Sequence, residues 1–157
     1  MRSLVIAAIA LAFASTAQAQ AKIGAQLSWG DESDLGIGPR VEVALPSQSV
    51  NLRFVGSFDY FFPDNSRTDY SYWELNGNLA YSFVAQGANS IMPYVGGGLN
   101  IATASWTDVG GSNSNTEMGL NLLLGTQFES KNITPYVELR AELSGGEQFV
   151  IAGGFLF

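Results

Sequence analysis

Ten charged side chains fall within eight alternating segments of this chain. Each sits on the same parity of its segment, opposite the large apolar residues. Arg40 and Glu42 share a parity, as do Arg53 and Asp59, and Glu138, Arg140 and Glu142; Lys22, Glu74 and Glu117 obey the same rule. Period-two alternation specifies strands with two unlike faces. A sheet with every charge on one face and nearly every bulky apolar residue on the other is a wall between two media.

The segments run Lys22 to Trp29, Leu35 to Leu45, Val50 to Phe62, Tyr72 to Phe83, Ile91 to Ala104, Glu117 to Phe128, Ile133 to Leu143 and Phe149 to Phe157. Alternation alone does not say which face is inside. A soluble, lipocalin-like barrel would enclose the apolar face around a ligand. A membrane barrel would turn it to lipid, where a Lys or Arg costs about 2–4 kcal/mol at the midplane.

The aromatic residues separate the two. On the apolar face, Trp29, Tyr60, Phe62 and Trp73 gather at one end of their strands; Tyr81, Phe83, Phe128 and Phe157 gather at the other. Trp73 to Phe83 spans ten residues, about 33 Å of strand. At a tilt of about 40° that is a height of about 25 Å, which matches the apolar band of an outer membrane and its two aromatic girdles.

The start of the chain agrees. Arg2, an apolar stretch from Leu4 to Ala14, and Ala17-Gln18-Ala19 have the order of a secretory signal and its cleavage site. The stretch is too short to span a bilayer as a helix. Residues 1–19 are therefore read as a cleaved signal peptide and 20–157 as one barrel domain. The mature chain carries six Lys/Arg against fourteen Asp/Glu, a net charge of −8 that speaks against nucleic acid as a partner. With no Cys, neither a lipid anchor on Cys nor a disulfide is expected.

The signal sequence, the eight segments, the repeated Pro-Tyr-Val at 93–95 and 135–137, Gly96-Gly97-Gly98-Leu99-Asn100 and the terminal Phe together resemble the small OmpA/OmpX-type outer-membrane barrels. The resemblance covers the whole mature chain. It implies an all-β, eight-stranded antiparallel up-and-down transmembrane barrel in a Gram-negative outer membrane, monomeric and surrounded by lipid and lipopolysaccharide. It also implies that Phe149, Ile151, Phe155 and Phe157 form the signal read by the barrel-assembly machinery, and that envelope integrity or surface contact through outward loops is the function. Pro63 to Asp69 and Ser105 to Thr116 are the longer polar connections expected to face outward. Pro39 removes a ladder hydrogen bond, so a bulge or register shift is expected in the second strand.

Eight strands leave an interior that side chains can fill. Lys22, Arg40, Arg53 and Arg140 are expected to pair there with Glu42, Asp59, Glu74, Glu117, Glu138 and Glu142. The resulting polar plug competes with a narrow channel gated by exchange of Arg–Glu partners. Neither a cofactor nor a metal site is expected. The enzymes built on such barrels use an active-site His, and this chain has neither His nor Cys. Glu138 and Glu142 lie about 13 Å apart by strand rise, beyond the widest glycosidase spacing of about 9.5 Å, so pairing of Glu138 with Arg140 is preferred to acid/base work. Asp31, Glu32 and Asp34 lack the spacing of a calcium loop and read as a solvated turn.

Overall fold

The computed structural model describes residues 21–45, 51–63, 70–83, 90–108, 110–128, 130–144 and 147–157. The expected signal peptide and most of the connections at 46–49, 63–69 and 85–90 lie outside the described residues. Eight strands form: β1 (Ala21–Gly30), β2 (Asp34–Ala44), β3 (Leu52–Phe62), β4 (Tyr70–Ser82), β5 (Ile91–Asp108), β6 (Gly111–Phe128), β7 (Thr134–Leu143) and β8 (Gln148–Leu156). Each pairs antiparallel with its sequence neighbours, and β8 returns to β1, so the sheet closes on itself. Closure leaves no free edge within the barrel wall. The last residue completes the seam, because Phe157 and Ile23 exchange both backbone hydrogen bonds (2.9 and 3.2 Å).

Side chains follow the alternation. Ile23, Leu27, Leu75, Leu99, Leu122 and Leu139 are about half exposed or more on the outside, whereas Arg40 and Arg140 are each 1% exposed on the inside. This inverts the arrangement of a soluble barrel. An exposed apolar surface that encircles the molecule is far larger than a soluble monomer carries; it is a surface for lipid.

The eight girdle aromatics all lie on this outer face. Tyr60 packs against Phe62 (5.2 Å between ring centres) and Tyr81 against Phe83 (4.9 Å), each edge-on. Trp73 stacks on Phe58 at 5.8 Å.

Two expectations need correction. The 105–116 stretch is not an irregular loop: β5 and β6 continue as a ribbon to the Asp108–Gly111 pair, leaving only Val109 and Gly110 between them. Beyond Ala104, Trp106 is the one large apolar side chain before the turn, so the hydrophobic period fades while the backbone stays extended.

Pro39 causes neither bulge nor shift. Leu35 to Ile37 and Arg40 to Ala44 face β3 in one register, and only the Gly38 and Pro39 rungs are missing. Gly38 makes room for this gap, since a Cβ there would overlap the Phe58 carbonyl oxygen. The lost donor is absorbed by a close approach of two backbones.

Candidate functional site: the lumen and the ribbon

Two ion clusters occupy the lumen. Nearer the chain termini, Arg40 Nη2 lies 2.8 Å from both Glu42 and Glu138, and Arg53 Nε lies 3.0 Å from Glu42. Gln127 donates to Glu42 and Tyr94 donates to Glu138, each at 2.7 Å. Two cations face two carboxylates.

Nearer the ribbon, Arg140 meets Glu142 at 2.7 Å, Glu74 at 3.2 Å and Asp59 at 3.3 Å. Tyr72 donates to Glu74 at 2.7 Å, Gln148 to both Glu74 and Glu142, and Ser28 and Gln26 to Asp59 at 2.6 Å each. Here one guanidinium serves three carboxylates, with neutral donors supplying the remaining hydrogen bonds.

Glycines set how the space is filled. The inward aromatic rings of Phe61, Tyr94 and Tyr136 stand directly across from Gly36, Gly125 and Gly154 of the neighbouring strand. A Cβ at any of these glycines would press on the facing aromatic side chain. Each ring thus lies over a glycine and covers its bare backbone. The Pro-Tyr-Val repeat places both tyrosines beneath arginines: Arg53 lies 4.3 Å from the Tyr94 ring centre and Arg40 lies 4.2 Å from that of Tyr136. These cation–π contacts are desolvated, the setting in which they are strongest.

The site departs from the sequence reading at two places. Glu117 carries the inward parity but stands in the exposed ribbon, where Asn115 donates to it at 2.8 Å; β6 has left the barrel wall by that point, so parity no longer means lumen. Glu138 pairs with Arg40 rather than with Arg140, because Arg140 reaches toward the ribbon end while β2 faces β7 across the lumen. Lys22 stands half-buried near the termini and donates to Thr134 at 3.1 Å.

Parity alone would have added Gln26, Gln127, Gln148, Tyr94 and Tyr136, whose roles depend on partners across the lumen. In the first hairpin, Asp31 accepts from the Phe149 backbone amide at 2.9 Å. Among the described residues no group of three or more Asp, Glu, His or Cys side chains is placed to hold a metal.

Outside the barrel, β6 pairs with β7 only from Leu120 onward. Residues 111–119 therefore have β5 on one side and, among the described residues, no strand on the other. Half of the backbone groups in that stretch point to the open side.

No protein-family model matches the sequence, and a comparison with curated protein sequences gives no match. Solved structures do match. The N-terminal β-barrel domain of Pseudomonas aeruginosa OprF superposes with a TM-score of 0.64 at 14% identity, covering 89% of this chain and 100% of that one. Ail, the attachment invasion locus protein of Yersinia pestis, gives 0.63 at 17% identity over 88% and 94% of the two chains. Neisserial surface protein A gives 0.57 at 19% identity over 87% and 91%. With an apolar exterior, a polar interior and eight sequentially paired strands, this chain has the closed-barrel fold of the small outer-membrane proteins.

Proposed function

We propose that the chain is a non-enzymatic outer-membrane barrel whose lumen is a structural polar plug and whose function is contact at the cell surface through the β5–β6 ribbon. The observation that carries this reading is the ribbon itself, two 18-residue strands whose outer part keeps a β6 edge with no strand beside it among the described residues. Such an edge accepts an extended segment of another chain by strand addition, with main-chain hydrogen bonds supplying the affinity. The plug is supported by the complete burial of Arg40, Arg140, Tyr94 and Tyr136 across the interior.

Planar-bilayer conductance of the refolded mature barrel tests the plug. Silence is expected; unitary currents that change on Arg140→Ala would make the lumen a narrow channel. To test the ribbon, residues 105–114 are replaced by an Asn-Gly turn. Cells carrying the shortened barrel should keep the detergent resistance of wild type and lose only surface contact. If their sensitivity equals that of a full deletion, the role belongs to the barrel wall and to envelope integrity instead.

Assembly through the closing strand belongs to the same proposal. Phe149, Ile151, Phe155 and Phe157 all point outward, and Phe157 is 69% exposed, open to the assembly machinery as well as to lipid. Deleting Phe157 also removes the two backbone bonds to Ile23. A several-fold drop in the heat-modifiable, folded form recovered from membranes is expected. Phe157→Tyr, which keeps the backbone and a ring, should restore it.

A further inference from the structure

The charge imbalance of the ribbon-side cluster has a counterpart on the adjoining wall, where Asn76 follows Glu74 along β4 and Asn121 stands across from Glu142. Asn76, Asn78, Asn100 and Asn121 face the lumen from β4, β5 and β6, each no more than 2% exposed. Asn100 stands across from Asn76 on one side and Gly119 on the other; Gly98 stands between Asn78 and Asn121. A Cβ at Gly119 would overlap the Asn100 amide oxygen, so the glycine is what lets this side chain lie flat against the wall.

The four amides do not satisfy one another. The Asn121 amide nitrogen donates to the side-chain oxygens of both Asn76 (2.8 Å) and Asn78 (3.0 Å). Among the described residues, the oxygen of Asn121 has no hydrogen-bond partner, and Asn100 has none for either its nitrogen or its oxygen. A buried amide left wholly unpartnered is rare and calls for an explanation, commonly a water or an ion.

We infer that this patch is a binding site for a small monovalent cation, Na⁺ or K⁺, held by the side-chain oxygens of Asn76, Asn78, Asn100 and Asn121. The Asn121 –NH₂ group sits between two oxygens, where a cation would satisfy both. An amide is close to symmetric in shape, and a half-turn exchanges its nitrogen for its oxygen. That half-turn adds a third oxygen to the pair and releases the donor.

Charge selects a cation over a water. Asn76 also donates to Asp59 at 3.4 Å, which couples the patch to a cluster in which Arg140 faces Asp59, Glu74 and Glu142. A cation at the asparagines offsets part of that excess negative charge. Neutral amide ligands suit a monovalent ion; calcium sites draw on several carboxylates. This inference is independent of what the ribbon does outside.

The test is unfolding of the mature barrel, refolded in zwitterionic detergent, in NaCl, KCl or N-methylglucamine chloride at one ionic strength. Gel mobility reports the folded fraction. The urea midpoint should be higher in one alkali salt than in N-methylglucamine and should saturate with alkali concentration. At ten times the dissociation constant the folded-to-unfolded ratio should rise about tenfold. Asn100→Ala and Asn121→Ala should abolish the difference. Asn100→Asp keeps the oxygen, adds charge and guards against a variant that merely fails to fold; it should lower the half-saturating concentration.

Equal midpoints in all three salts overturn the inference and assign the patch an ordered water. An alkali effect that persists in both alanine variants overturns it by placing the cation elsewhere. A midpoint insensitive to alkali but raised by acid also overturns it, giving the charge balance to a proton on the carboxylates.

Discussion

Arg140→Met will destabilise the barrel by about 3–5 kcal/mol, the usual range for removing one partner of a buried ion pair, and by more than Arg40→Met. Both side chains are fully buried, so the difference lies in what each leaves behind. Without Arg40, Glu42 still has Arg53 at 3.0 Å and Gln127 at 2.7 Å, and Glu138 keeps the Tyr94 hydroxyl. Without Arg140, Asp59, Glu74 and Glu142 share a buried space with no side-chain cation bonded to them among the described residues. Neutral donors solvate these carboxylates without cancelling their repulsion. The check is urea unfolding in phospholipid vesicles followed by Trp fluorescence. A second variant carrying Arg140→Met with Glu74→Gln and Glu142→Gln should recover most of the loss. If Arg40→Met proves the more damaging, the partition into a balanced and an unbalanced cluster is wrong.

The wall of this barrel was legible because lipid imposes a rule at every second position. Leu75, Leu79 and Tyr81 against Glu74, Asn76 and Asn78 is enough to orient β4 without any knowledge of its neighbours. The outward direction of the aromatics is legible for the same reason, since Trp73 on β4 and Phe83 just past its end share one parity. Outside the membrane that pressure ends. Thr103, Ser105 and Thr107 alternate with Ala104 and Trp106, and Ser112 and Ser114 with Asn113 and Asn115, patterns that serve a loop or a hydrated strand equally well. That is why the sequence of the ribbon suits a loop and the parity of Glu117 suits the lumen. Pro39 is a different case: its cost depends on the residue beside it, and Gly38 lets the two backbones approach so closely that the register does not slip.

Within the lumen, the sequence identified which charges face inward but not which of them meet. Partners such as Arg40 and Glu138 lie 98 positions apart in the chain, and the stagger that closes the barrel decides whether they touch. Glu138 and Arg140 looked like a pair because they are near in sequence. The glycine rule is hidden in the same way. Tyr94 and Gly125 are unremarkable alone and become a unit only when β5 and β6 are set in register. The asparagines show the limit most plainly, since Asn76, Asn78, Asn100 and Asn121 all carry the expected polar parity, and their unpartnered amide atoms emerge only from the packing.

The second large effect tests the wall rather than its contents. Leu122, Leu123 and Leu124 are a run in which apolarity says nothing about direction, yet the fold turns Leu122 outward at 56% exposure and leaves Leu123 inside at 4%. Leu122 lies six residues from the Phe128 girdle, about 20 Å along the strand, which places it near the middle of the apolar band. Leu122→Arg should therefore cost about 2–4 kcal/mol in a bilayer. Ile91→Arg, outward-facing beside Phe128, should cost about 0–1 kcal/mol, because its charge reaches the interface. Refolding equilibria in phospholipid vesicles give both values. Depth is the discriminating variable, since water treats two exposed leucine-sized sites alike and a bilayer does not. Equal, small losses at the two positions would mean that the outer face meets water, and would return the chain to the soluble ligand-binding barrels that its alternation alone leaves open.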